Sequence, residues 1–325
     1  MANIREIAKQ AGVSITTVSR VLNNHPYVSE EKRLAVFNAI EKLNYTRNLN
    51  AVHLSQGKTN LIGVILPTIR LPYFASIVAG IADKAIKQNI QLVLFQTNYE
   101  ISKELDALEM LSGHVIDGVI FCSRAMPLKA VEAYKDYGPI ILCEDSDQAD
   151  FPSISIEHEK AFQFGLDYLI SKGHKKIAYG IGRKDGINST KRTKAYEQKM
   201  KEIGEPVRTE WIFDQCFTIQ DGIAIFHQYL SLSEKPSSFF VANDQVAAGF
   251  VSEARKHRID VPEDIAVLSF DNHPIAEMLG ISSIEIPTKE MGEKAFSVLL
   301  NLRNEKTIDK KKFVIPFTLH ERASV

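Results

Sequence analysis

The sequence predicts an α/β protein: a small all-helical head at the N-terminus, then two doubly wound α/β lobes. Three observations predict it. Within residues 3–45 the apolar residues recur only at helical spacing. From Asn60 onward, short apolar runs suited to strands alternate with helical stretches, the texture of parallel sheets covered on both faces. That alternation comes in two series, and 325 residues are enough for two or three domains.

The head begins at Asn3, an N-cap type, with Glu6 three positions later in capping-box spacing. Ile4, Ile7, Ala8 and Ala11 make one helical stripe. Gly12 marks a turn, because glycine takes positive φ without a clash, and Val13 is placed to fill the gap between two helices. Ser14 caps the second helix, with Val18, Val21 and Leu22 facing inward. Its outer face carries Ile15, Thr16, Thr17, Ser19 and Arg20. Residues 3–23 thus have helix-turn-helix spacing, and short or cationic side chains suit a helix pressed into a DNA major groove. After the loop 25–28, Ser29 caps a third helix, with Glu30 and Glu31 in its first turn. Leu34, Phe37, Ile40 and Leu43 are its expected buried stripe, and Asn44-Tyr45 ends it. Residues 46–58 are polar with weak helical pattern, readable as a flexible linker or a short helix.

Strands are expected at 61–67, 90–96, 117–123, 139–144 and 153–156, with helices at 73–88, 101–112 and 127–136. The second series runs helix 158–172, strand 176–181, helices 190–203 and 219–231, strand 237–242, helix 244–257 and strand 265–270. A tail helix (289–302) and strand (312–317) follow.

The net charge of −1 hides an asymmetry: residues 1–58 carry +4 and the remainder −5. A basic head on an acidic body is the footprint expected when only the head meets phosphate. MANIREIAKQ lacks the apolar region of a signal peptide, and no apolar run approaches the roughly 18 residues needed to span a bilayer. Cys122, Cys143 and Cys216 are odd in number and lack CxxC spacing, which fits a reduced cytoplasm, with Cys122 and Cys143 as buried structural thiols. The loop 179–186, YGIGRKDG, lacks both phosphate-loop spacings and reads as a strand-to-helix turn. There is no GxSxG or HExxH, and Glu157-His158-Glu159 reads as a solvated helix start, not a metal cluster. No catalytic residue, metal or cofactor is expected.

The stretch AGVSITTVSRVLN (11–23) resembles the helix-turn-helix of the lactose-repressor (LacI/GalR) family of bacterial regulators. PTIRLPYFASIVAGI, DGVIF, ISKGHKKIAY, ANDQVAAGF and VPEDIAVLSFDN extend that resemblance along the chain. It implies lobes of periplasmic-binding-protein type that close around a ligand, and a symmetric homodimer reading a pseudopalindromic double-stranded DNA operator. Ser14, Ile15, Thr16, Thr17, Ser19, Arg20, Asn23 and Tyr45 would then face DNA. Residues 46–58 would be a hinge helix whose Ala51 and Leu54 enter the minor groove, with Arg47 where the family usually has proline and Val52 where arginine is common. The implied division is a headpiece (1–58) and a core (59–325), with lobe 1 as 60–157 and 287–308 and lobe 2 as 158–286 and 309–325.

In open α/β sheets ligands bind beyond the carboxyl ends of the strands. By motif match, Tyr73 and Phe74 are an aromatic floor, Arg192 grips an oxygen-rich effector, and Glu144, Asn243 and Asp271 bond its polar groups. The resemblance implies a sugar or sugar phosphate as effector. HPYVSEEKR and YGPIILCED resemble the catabolite-control branch of Gram-positive bacteria, which implies the phosphorylated phosphocarrier protein as a second partner. The chain departs from the family pattern at Thr68, Glu157-His158, Ser269 and Asn272. A periplasmic solute-binding protein would need a signal peptide and no DNA-binding head; a sugar-metabolising enzyme would need a catalytic constellation.

Overall fold

A computed structural model describes residues 3–45, 57–145, 151–304 and 311–325. Contacts divide it into two units, Met1–Thr59 and Asn60–Val325. The expected hinge, with Ala51 and Leu54, lies outside the described residues apart from its last two positions.

The first unit holds α1 (Ile4–Ala11), α2 (Ile15–Leu22) and α3 (Glu30–Lys42). The capping box forms: Glu6 N–H donates to Asn3 Oδ1 at 3.1 Å and Asn3 N–H to Glu6 Oε2 at 3.0 Å. Gly12 ends α1 at φ 65°, where a side chain would be strained. Ile7, Ala8, Val18, Val21, Val36 and Ala39 form the core, flanked by Ile40, Leu43 and Tyr45. The stripe expected on α3 is corrected here. Leu34 and Phe37 are 63% and 49% exposed, because α3 packs on α1 and α2 through the face that carries Val36 and Ala39. Ser29 occupies the cap position of α3 without a side-chain cap bond. Arg33 ties α3 to the preceding loop, donating to Asn24 Oδ1 and the His25 carbonyl.

The second unit contains two six-stranded sheets. Lobe 1 holds β1 (Leu61–Leu66), α4 (Pro72–Ile86), β2 (Gln91–Gln96), α5 (Ile101–Ser112), β3 (Val119–Phe121), α6 (Leu128–Glu132), β4 (Ile140–Leu142) and β5 (Ser153–Ser155). Lobe 2 holds α7 (His158–Ser171), β6 (Ile177–Gly180), α8 (Ile187–Glu202), β7 (Ile212–Phe213), α9 (Ile219–Ser231), β8 (Ser238–Phe240), α10 (Asp244–Lys256), β9 (Ala266–Phe270), α11 (Pro274–Leu279) and β10 (Ser282–Glu285). The chain then returns through α12 (Thr288–Arg303), β11 (Lys312–Val314) and β12 (Thr318–His320). The first sheet runs β11-β5-β4-β3-β1-β2 and the second β12-β10-β9-β8-β6-β7; pairing is parallel except between β10 and β12.

Three departures from the sequence reading have physical causes. The tail strand 312–317 was assigned to lobe 2, but β11 pairs with β5 of lobe 1, Lys312 opposite Ser153, and Ile315 N–H donates to the Ser155 carbonyl. The crossing back to lobe 2 therefore comes after Ile315, and β12 completes the second sheet. β2 is not buried on both faces, because it is an edge strand. β10 has no apolar run to reveal it: Ser282 and Ser283 are fully buried because hydrogen bonds, not apolarity, satisfy them.

α12 lies against α4 to finish lobe 1. Their approach is so close that a Cβ at Gly80 would sit 2.0 Å from the Lys289 carbonyl oxygen. The α9–α10 pair of lobe 2 repeats this, with Gly222 facing the Val246 carbonyl.

Candidate functional site

Two surfaces carry chemistry. On α2, Val18 and Val21 are buried while Ser14, Ile15, Thr16, Arg20 and Asn23 are exposed; Thr17 and Ser19 are half-buried. Ser14 caps the helix by accepting from Thr17 N–H at 3.1 Å, and its hydroxyl lies 2.9 Å from that of Thr17. Thr17 is therefore engaged locally, whereas Ile15, Thr16 and Arg20 are exposed. Tyr45 packs against the headpiece core, and Arg33, held by its loop contacts, is not a free cation.

The second surface is a cleft between the lobes, at the carboxyl ends of their strands. All six effector residues named from sequence line it: Tyr73, Phe74, Glu144, Arg192, Asn243 and Asp271. Tyr73 and Phe74 open α4, rings edge-to-face at 5.1 Å. Burial and the nearby Asp271 push the Tyr73 phenol well above its ordinary range, so it stays a neutral hydroxyl.

Arg192 projects from α8 and is buried. Its guanidinium lies 4.2 Å from the Phe270 ring centroid, and Nη2 is 3.3 Å from His158 Nδ1. Arginine can only donate, so Nδ1 is the acceptor. Burial and the adjacent cation hold His158 well below its ordinary pKa, hence neutral. The reading of His158 as a solvated helix residue is corrected: it is 5% exposed, at the start of α7, where the chain enters lobe 2.

Asp271 follows β9 in the left-handed region, φ 98°. Burial, and then the charge of Asp244, push its carboxyl up to about 8 against the pull of Arg192. Asp244 is the anchor of this wall. It accepts from Ser269 Oγ, from Ser283 Oγ at 2.8 Å and from His273 N–H at 2.5 Å. The departure at Ser269 is thereby explained, since its hydroxyl serves Asp244. Asn272 turns away to accept from Arg322 at 2.6 Å, and Thr68 caps its own loop through Arg70 N–H. Asn243 is largely occupied: Oδ1 accepts from Val246 N–H, capping α10, while Nδ2 reaches the Cys216 and Phe217 carbonyls.

On the lobe 1 side Glu144 pairs with Arg124, both buried, and burial pushes the carboxyl up to about 7 despite the arginine. Glu104, fully buried on α5, holds the loop bearing Arg124 by accepting from Ala125 and Met126 N–H at 2.7 and 2.8 Å. Contacts across the cleft include Arg183, stacked 4.0 Å from the Tyr99 centroid, and Lys191, paired with Asp145. Sequence reasoning placed Arg124 at a strand end facing the cleft but assigned no ligand role to Tyr99, Arg183 or His158. Only their position after successive strands and helix starts could have singled them out. The three cysteines are free and buried, and Cys122 and Cys143 border the cleft floor. Among the described residues, no group of three His, Cys, Asp or Glu is placed to hold a metal, and no helix is long and apolar enough to cross a membrane.

Comparison with known proteins follows the same division. Residues 3–48 match the family described as "Bacterial regulatory proteins, lacI family", and residues 59–323 that described as "Periplasmic binding proteins and sugar binding domain of LacI family". The chain is 53% identical, over the full length of both proteins, to the uncharacterized HTH-type transcriptional regulator YkvZ of Bacillus subtilis (strain 168). It is 38% identical to Catabolite control protein B of the same organism, covering 92% of this chain and 94% of that protein. A LacI family transcriptional regulator from Lactobacillus casei with bound sucrose superposes with a TM-score of 0.75 at 26% identity, over 82% of this chain and 99% of that one.

Proposed function

The chain belongs to the LacI family of bacterial transcriptional regulators, and we propose that its two halves divide the work as follows. It is a DNA-binding regulator with a small-molecule effector. The headpiece reads one half-site of a pseudopalindromic operator and a homodimer reads both. Arg20 reads a guanine edge, Ile15 and Thr16 make apolar or hydroxyl contacts, and Ser14, Thr17, Ser19, Asn23 and Tyr45 position the backbone. Ala51 and Leu54 of the hinge enter the minor groove. The effector is a sugar or sugar phosphate in the cleft lined by Tyr73, Phe74, Glu144, Arg192, Asn243 and Asp271, and the regulated genes concern carbohydrate use. The sucrose-bound relative supports the sugar class. The phosphorylated phosphocarrier as a further partner rests on the resemblance of HPYVSEEKR and YGPIILCED to the catabolite-control branch. The protein acts in the cytoplasm as a repressor, and does so without catalysis.

The observation that carries this reading is the outer face of α2, where Ile15, Thr16 and Arg20 stand exposed on a helix anchored by Val18 and Val21. Effector binding shifts the population between two lobe arrangements, and so the spacing of the paired headpieces. The test is selection of bound sequences from randomised duplex across a salt series. A recovered pseudopalindrome with a steep salt slope is expected, and Arg20→Ala should cost about 1–3 kcal/mol and relax one base position. Unchanged affinity and preference in that variant would remove Arg20 from the base-reading role.

A further inference from the structure

One aromatic residue of the cleft holds a backbone conformation that costs energy. Tyr99 follows β2 in the left-handed region, φ 62°, directly after Asn98 at φ 50°. Asparagine tolerates that region; for a side chain as bulky as tyrosine it is an outlier. The loop imposes it. Thr97 and Asn98 N–H donate to the Leu66 and Pro67 carbonyls, each at 2.9 Å, and Glu100 N–H donates to the Thr97 carbonyl at 2.8 Å. Tyr99 N–H turns back to Thr97 Oγ1 at 3.3 Å, and Thr97 is fully buried. Strain of this kind persists only where the surroundings over-determine it, and it gathers at ligand clamps and switch regions.

The strained backbone presents the ring to the other lobe. The Arg183 guanidinium of lobe 2 lies 4.0 Å from the ring centroid, well within reach of a cation–π contact. Burial raises the Tyr99 phenol, so the ring stays neutral, and its hydroxyl lies 3.4 Å from Ser123 Oγ of lobe 1. Arg183 sits in the turn between β6 and α8, its carbonyl accepting from Gly186 N–H at 3.0 Å, and its Nε is buried without a hydrogen bond. Glu144 of lobe 1 adds an attraction to the same charge. Lys191 and Asp145 also pair across the cleft, but their side chains are 28% and 25% exposed, and salt screens such a pair. A glycine at position 99 would relieve the strain and lose the contact.

We infer that Tyr99 and Arg183 form a clasp between the lobes, which sets the balance of the two lobe arrangements in favour of the closed one. This rests on the reading of the protein as a regulator that shifts between such arrangements, and it names residues that bias the shift. A clasp that favours closure also lessens what the effector itself must supply.

The test reads the lobe separation directly, in the full chain and with no effector added. Spin labels are attached through Asp106→Cys on α5 and Lys194→Cys on α8, both exposed positions; the native cysteines are buried. Labelled chain is diluted with unlabelled chain so that each distance is measured within one molecule, and high ionic strength screens Lys191–Asp145. Tyr99→Gly, which suits the left-handed backbone, and Arg183→Gln should each lengthen the mean distance and lower the closed-to-open ratio roughly three- to tenfold. Tyr99→Phe, which keeps the ring, should stay near the native distribution. The double variant should open no further than either single one, because both remove the same contact. An unchanged distribution in either single variant, or additive opening in the double, overturns the proposal. Operator selection on the native chain separates the two readings: a recovered operator with unchanged distances removes only the clasp, while longer distances with a failed selection remove the regulator reading and leave the clasp standing.

Discussion

The two walls of the cleft are built alike and finished differently. Each lobe closes a parallel sheet with a helix pair crossing at glycine, and each anchors its wall through a buried carboxylate on backbone N–H groups: Glu104 in lobe 1, Asp244 in lobe 2. In lobe 1 the polar groups then satisfy one another, Arg124 with Glu144 and Tyr99 with Ser123. In lobe 2 the arginines lie against rings instead, Arg192 on Phe270 and Arg183 on Tyr99 of lobe 1, and the buried Nε of each has neither the ion pair that Arg124 Nε makes nor a hydrogen bond. The lesson is that a ligand's strong contacts are to be sought where the protein has left its own groups incomplete, because that wall gains most on binding.

The likeness of the lobes can be broken most severely at the helix crossings. Gly80→Ala and Gly222→Ala each place a Cβ within 2.1 Å of a backbone carbonyl oxygen, which cannot rotate away. Each should cost about 3 kcal/mol or more, read as the denaturation midpoint. A tolerated alanine at one and not the other would show that the lobes are not equivalent in packing.

The anchors come next. Glu104→Gln loses one of two charged acceptor oxygens in lobe 1, and Asp244→Asn disturbs three donors in lobe 2. Both should destabilise by about 1–3 kcal/mol, Asp244→Asn the more, as measured by denaturant unfolding. Equal or reversed costs would place the firmer anchor in lobe 1.

The last effect is a pH dependence, which raised carboxyls give to both walls, Glu144 in lobe 1 and Asp271 in lobe 2. Asp271 sits at about 8 in the folded chain against an ordinary 3.8, facing Asp244, Arg192 and Tyr73. Between those values the folded protein holds a proton the unfolded chain has released, so this group lowers stability as pH rises. Asp271→Asn, which tolerates the left-handed backbone, removes that loss. Relative to the variant, the native chain should lose at most about 1 kcal/mol per pH unit from pH 5 to 8, then no more above. A gap that does not change with pH would mean Asp271 titrates normally.

The headpiece was legible because its signals are local. The capping box of Asn3 and Glu6, Gly12 and the cap of Ser14 act within a few residues, and α2 shows its inside and outside at helical spacing. Only α3 misled, since Leu34 and Phe37 are as apolar as the residues that are buried; which side faces α1 and α2 is a packing outcome. The strand–helix alternation was equally plain, but Ser282–Glu285 was invisible as a strand because hydrogen bonds, not apolar side chains, bury it. The six cleft residues named by resemblance do meet in one place. The resemblance did not reveal that Asn243 is occupied as a cap, that His158 is buried against Arg192, or that Arg183 faces Tyr99.

By itself the sequence determined the element types, the helix-turn-helix, the charge contrast between head and body and the family, because each is written in residue identity and short-range spacing. Only the tertiary structure decided which sheet takes the tail strand, which face of α3 is inside and which arginines keep an unbonded donor. Those depend on which distant backbone segments arrive together, and a polar atom is satisfied or orphaned only once they have.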